Sequence, residues 1–194
     1  MPTTRTWWGD TESKPAPEPL ARVQALVNTL ELERHRDRLT LHEGGDAWLA
    51  RNGFADAATT ITDDDLRLAR DFREALRALI VQNTDGTVAD DALTAPLHAV
   101  SAGVDLRAAV GADGRVDVVP VGTGVRDRLA ELLLVVQAAQ RDGTWANLKA
   151  CANDECRWAF YDRSRNHGGT WCDMSSCGNK IKNRDFRARK RADR

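Results

Sequence analysis

Long hydrophobic runs are missing from this chain, and no stretch of about eighteen or more apolar residues occurs. That excludes an ordinary membrane-spanning helix. The opening residues, Met1-Pro2-Thr3-Thr4-Arg5-Thr6-Trp7-Trp8, lack the apolar core of a secretory signal, so a cytoplasmic protein is expected. No internal repeat is present. Catalytic patterns are also missing. His42-Glu43-Gly44-Gly45-Asp46 has no second histidine to complete a metalloprotease helix, and its glycines break the helix. Gly122-Thr123-Gly124-Val125 lacks the lysine of a phosphate-binding loop and the third glycine of a dinucleotide turn, so it reads as a helix cap. No nucleophile stands beside a base, and no catalytic residue is assigned. Cysteine is absent from the first 150 residues, and all four lie in one C-terminal window.

Hydrophobic residues make up 42% and charged residues 29%, the balance of a globular protein. The net charge of −1 conceals an asymmetry. From Lys149 onward there are twelve Lys and Arg against six Asp and Glu; the remainder holds sixteen against twenty-three. An acidic body carrying a basic binding module is the usual source of such a division.

The expected fold is mainly α with a small β-hairpin, an α+β body, followed by a small treble-clef or ribbon-like module that ends in a basic helix. Residues 1–17 read as a flexible leader, 18–147 as the body and 148–194 as the module. Leu20, Val23, Val27 and Leu30 recur at helical steps, predicting a helix from Pro19 to about Leu41. A short helix is expected over 46–52. Thr62 followed by three aspartates predicts a helix start, continuing to about Gln82. A further helix is expected over 90–100. Residues 104–110 and 115–121 flank Gly111-Ala112-Asp113-Gly114 and predict the hairpin, and a last body helix runs from about Thr123 to Asp142.

Cys151-x4-Cys156 and Cys172-x4-Cys177 supply two matched thiol pairs, the set that one tetrahedral zinc ion needs. Four sulfurs leave no open position, so the site is structural. Two disulfides are the alternative, disfavoured by a reducing compartment. Lys149, Arg157 and Arg163 are placed to offset the thiolate charge, and His167 reads as a loop or nucleic-acid-facing residue. Only Trp158, Phe160, Trp171, Ile181 and Phe186 are available as a module core, so the metal must carry much of its folding free energy. Beyond Cys177, Gly178 permits a tight turn and Asn179 caps a helix. There Lys180, Arg184, Arg187 and Arg191 share one side and suit phosphates. Arg163, Arg165 and Asn166 are the candidates for base edges.

Cys151-Ala152-Asn153-Asp154-Glu155-Cys156, Phe160 to Asn166, and Trp171 to Lys180 resemble the CGNR zinc finger. The signature's last position, ordinarily arginine, is Lys180, which keeps the charge without the two-pronged fork. Val27-Asn28-Thr29, Trp48-Leu49 and Leu66 to Leu79 resemble the accompanying ABATE domain. The resemblance implies a bacterial stress-induced transcription regulator. It alone offers Asn28 as lining an effector pocket; the residue pattern favours a buried amide tying helices together. The leading expectation is a DNA-binding regulator with one structural zinc ion, a small-molecule effector, a homodimeric state and no membrane partner. The alternatives are an RNA-binding zinc protein, or a small-molecule-binding or enzymatic body with a purely structural zinc module.

Overall fold

The computed structural model describes residues 11–56 and 58–192. The mainly helical class with small hairpins is as expected, and the chain closes on a basic helix. The body comprises α1 (Ala21–Val27), α2 (Gly45–Arg51), α3 (Asp63–Asp85), α4 (Asp91–Ser101) and α5 (Val125–Asp142). Three two-stranded antiparallel pairs accompany them: β1 (Leu30–Glu31) with β2 (Arg36–Asp37), β3 (Leu106–Val110) with β4 (Val116–Pro120), and β5 (Leu148–Ala150) with β6 (Ala159–Tyr161). α6 (Asn179–Ala192) follows the last cysteine. Among the described residues no helix is long and apolar enough to cross a membrane.

The central helix, α3, forms for the reason its sequence gives. Thr62 Oγ1 accepts from Asp65 N at 3.2 Å while Asp65 Oδ2 accepts from Thr62 N at 2.9 Å, a reciprocal cap. Leu66, Ala69, Phe72, Leu76 and Ile80 then fill the core, against Leu129, Leu132 and Val136 of α5.

The long first helix expected to reach Leu41 stops at Val27. Thr29 Oγ1 donates to Leu26 O at 2.7 Å, capping the helix end, and Thr29 O accepts from Arg38 N at 2.9 Å. The chain turns through β1 and β2, with His35 in the left-handed region at φ 48°. Leu30 is thus a strand residue. Its helical spacing misled because Asn28 and Thr29 offer their side chains to the backbone, which ends helices.

Residues 1–10 of the expected leader lie outside the described residues. Residues 12–16, also assigned to it, are tied down. Tyr161 N donates to Lys14 O at 3.0 Å, so this segment lies along β6. Ala16 N donates to Gln24 Oε1 at 2.7 Å, and Lys14 Nζ donates to Trp171 O at 3.0 Å.

Glu12 sits at the centre of this strap. Its Oε1 accepts from Asn28 Nδ2 at 2.5 Å and its Oε2 from Trp158 Nε1 at 3.2 Å. Burial pushes its carboxyl up from 4.5 to about 7, outweighing the hydrogen bonds from Asn28 and Trp158. Between those values the folded chain holds a proton that the unfolded chain has released. Stability therefore falls as pH rises through that window and levels off above it. Glu12→Gln is expected to remove most of this slope, about 1–3 kcal/mol between pH 5 and 8 in urea unfolding. An undiminished slope in the variant contradicts the assignment.

Candidate metal centre and adjoining basic surface

β6 belongs to two cores at once. Ala159 and Tyr161 face the body with Leu148 and Ala150, while Trp158 and Phe160 face a second cluster with the four cysteines and Trp171. The two-residue period of a strand sorts its side chains this way. The edges of the β5–β6 pair are closed by side chains. Ala150 and Ala159 are register partners. Thr84 Oγ1 donates to Ala150 O at 2.8 Å and accepts from Ala150 N at 3.0 Å. Asn28 does the same on the other edge, donating to Ala159 O at 2.9 Å and accepting from Ala159 N at 2.8 Å. Arg77, on α3, adds a third tie by donating to Arg157 O at 2.8 Å and Val27 O at 2.7 Å.

The four sulfurs converge as a metal centre requires. All lie within 4.8 Å of one another, with Cys156–Cys172 at 3.7 Å and Cys172–Cys177 at 3.8 Å. Tetrahedral zinc with bonds of about 2.3 Å places its sulfurs about 3.8 Å apart. A disulfide needs about 2.05 Å, and all four cysteines are free and buried, so the disulfide alternative falls. Hydrogen bonds from Cys156 and Cys172 hold the Cys151 thiol down to about 2, and the same bonding pushes Cys156 and Cys172 up. Four crowded sulfurs cannot all ionise alone, and a dication supplies the missing charge. The four cysteines fit one structural zinc ion.

The first knuckle is organised by Asn153, which is buried. Its O accepts from Cys156 N at 2.8 Å and Arg157 N at 2.9 Å, and its Nδ2 reaches Cys177 Sγ at 3.7 Å. The second is organised by Asp173, whose Oδ1 accepts from Ser175 N at 2.7 Å and Ser176 N at 3.0 Å. Asp173 thus takes the capping role expected of Asn179, which is the first residue of α6 and donates to Ser175 O at 3.3 Å. At Gly178 a Cβ would meet Met174 Sδ and stand 3.2 Å from Trp171 Cδ1, so a larger residue there needs the exposed Met174 side chain to move aside.

The loop between the knuckles is built round a buried pair. Lys149 Nζ donates to Asp162 Oδ2 at 3.2 Å and also to the His167 carbonyl. Asp162 accepts from Ser164 N at 3.0 Å and Gly169 N at 2.6 Å. Burial works against the charged Asp162, but these hydrogen bonds outweigh it and hold the carboxyl well below the usual range. Lys149 and Arg157, read as offsetting the thiolates, instead pair with Asp162 and with Asp154 and Asp85.

The ABATE model, described as "Putative stress-induced transcription regulator", matches residues 20–144. The chain belongs to the ABATE family. The CGNR zinc finger model matches residues 147–190 of this ABATE chain, in the expected order. No curated protein matches it. The two descriptions support a zinc-binding regulator.

The basic residues of this ABATE protein are not placed alike. Arg165 and Asn166 are exposed on the loop that Asp162 organises. Arg163 is drawn back, donating to Pro15 O at 2.8 Å with its guanidinium 5.3 Å from the Tyr161 ring centre. Lys180 pairs with Glu155 at 2.7 Å and Glu33 at 3.2 Å, bridging α6 to the loop after β1. Arg184, Arg187 and Arg191 are exposed along α6, and Arg184 acts on Glu155 through its charge. Ile181 is the buried anchor of α6, but Phe186, expected in the core, is 61% exposed. Five positions at about 100° each put it roughly opposite Ile181.

Asn28 lines a cleft of about 310 Å³ with Ala25, Thr29, Arg38, Trp48, Arg51 and Asn52. Its amide is nonetheless taken up by Ala159 and Glu12. No carboxylate or histidine lines this cleft among the described residues. Sequence reasoning missed Asn153, Asp162, Asp173 and Thr84 as organisers. Polar residues beside a ligand or at a helix end were the available signal for the first three.

Proposed function

We propose that the chain is a DNA-binding transcriptional regulator in a bacterial cytoplasm, with zinc shaping the reader and no catalytic step. The observation that carries this reading is α6. Seven of its fourteen residues are Lys or Arg against one Asp, and it begins two residues after Cys177 of the metal centre. Arg184, Arg187 and Arg191 fall on one side and meet phosphates, which fix position and affinity. Arg165 and Asn166 meet base edges from the loop held by Lys149 and Asp162. Arg163 and Lys180 contribute charge from their present partners. An effector in this reading occupies the cleft beside Asn28 and meets Arg38, Arg51 or Trp48, since the Asn28 amide is engaged.

One observation favours RNA as the second reading: Phe186 is an exposed aromatic among cations, the arrangement that stacks on unpaired bases. Fluorescence anisotropy with the zinc-loaded chain separates the two. With four to five phosphate contacts, duplex affinity is expected to weaken by about two to three orders of magnitude between 50 and 200 mM salt. Arg187→Ala with Arg191→Ala is expected to flatten the salt slope by about two. Tighter binding to single-stranded RNA than to duplex DNA, abolished by Phe186→Ala, overturns the DNA reading in favour of the second.

A further inference from the structure

The cleft beside Asn28 carries charge of one sign. Arg38 and Arg51 line it, and no acidic side chain among the described residues does. Two carboxyls of the adjoining chain are engaged elsewhere. Asp37, next in sequence to Arg38, takes two hydrogen bonds from Arg73 at 2.7 and 2.9 Å. Glu12 accepts from Asn28 and Trp158. The neutral polar groups of the lining are also occupied: Thr29 Oγ1 donates to Leu26 O and accepts from Arg73, and Asn52 Nδ2 donates to Trp48 O at 2.8 Å. Trp48 is the exception. It is only 6% exposed and is stacked on Phe54 with ring centres 5.7 Å apart. Yet its indole N–H has no hydrogen-bond partner among the described residues, and it is not sealed from solvent. A tryptophan so far buried ordinarily finds an acceptor for that group.

From this lining we infer that the cleft binds a small organic anion, a carboxylate or phosphate monoester bearing a compact apolar group. Arg38 and Arg51 hold its charge, and the Trp48 N–H supplies a neutral donor. A guanidinium and an indole N–H donate and never accept, so the ligand end that meets them must be an acceptor. A ligand cation would face two like charges with no carboxylate to offset them. Ala25 and the Trp48 ring give the apolar group a wall. The volume of about 310 Å³ lies at the small end of ligand clefts, which run to about 1,000 Å³, and suits a metabolite-sized molecule. The inference rests on the reading that an effector occupies this cleft, and it adds the chemical class of that effector. It does not depend on what the basic surface of α6 binds.

Titration of the zinc-loaded full chain, without nucleic acid, tests this on the tryptophan indole N–H signals of a proton–nitrogen correlation spectrum. Trp48→Phe identifies the Trp48 signal among the six tryptophans. The probes are benzoate and phenyl phosphate, set against benzamide and benzamidinium, which keep the ring but carry no charge or a positive one. Either anion is expected to shift the Trp48 signal saturably, with a dissociation constant of about 5 mM or tighter. Benzamide and benzamidinium are expected not to saturate it below about 50 mM. Arg51→Gln, at an exposed position, is expected to weaken anion binding about five- to tenfold, and Arg38→Gln to do the same. Benzamide or benzamidinium binding as tightly as the anions overturns the inference but leaves an effector cleft standing. So does anion binding undiminished in both arginine variants. No saturable Trp48 shift with any of the probes overturns the inference and the effector cleft together.

Discussion

Removing zinc, by chelation or by Cys172→Ser, is expected to unfold residues 151–192 and to cost at least about 5 kcal/mol of folding free energy. That is part of the roughly 10–16 kcal/mol by which structural zinc binds small modules. The size follows from the second core. Besides the four cysteines it holds Trp158 and Phe160, with Trp171 partly covered. So few apolar groups cannot offset the entropy of ordering some forty residues. The loss should reach the body as well, since Leu148, Ala150, Ala159 and Tyr161 lie in its core. Tryptophan fluorescence of Trp158 and Trp171 reports the module, and far-ultraviolet circular dichroism reports the body. An equal melting temperature and unchanged fluorescence after chelation contradict the account.

Asn28→Ala is expected to destabilise the zinc-loaded chain by about 2–4 kcal/mol in urea unfolding. Three hydrogen bonds disappear, two with the Ala159 peptide and one with Glu12. The Ala159 carbonyl keeps a donor in Gln24 Nε2 at 3.1 Å, but its buried N–H is left without a partner. The orphaned amide sets most of the cost. Thr84→Ala makes the corresponding change at Ala150, on the opposite edge of the same strand pair. Zinc affinity should weaken in both variants because β5 and β6 carry the chain into and out of the first knuckle. A loss below about 0.5 kcal/mol for Asn28→Ala returns it to the role of a cleft-lining residue.

Much of this was legible in the residues. The metal ligands were, because two matched thiol pairs have few other uses. The start of α3 was, because Thr62 and Asp65 form a local cap whose partners are three residues apart. The β3–β4 hairpin was, because its turn residues and alternation are local. What escaped is what depends on distant partners. Leu30 continues the apolar rhythm of α1, yet the helix ends because Thr29 bonds Leu26 and Arg38. The strap over β6 was illegible because its sequence has no period. Its order comes from Tyr161, Gln24, Asn28 and Trp158, as many as 147 positions away. From its place before Cys151, Lys149 reads as a counter-charge to zinc. Strand alternation instead turns it toward Asp162, and no single-position argument reveals that. Hydrophobicity alone puts Phe186 in the core, although its angle from Ile181 on the helix opposes that.

The central claim is that a thiolate-bound ion holds a basic helix and a loop in the posture that reads a duplex. Selection of bound fragments from sheared genomic DNA by the zinc-loaded chain, with an RNA pool run beside it, asks this directly. The account predicts a discrete set of enriched duplex fragments, lost when Arg165 and Asn166 are both changed to alanine. Recovery of DNA merely in proportion to fragment length, or preferential recovery of RNA, contradicts it.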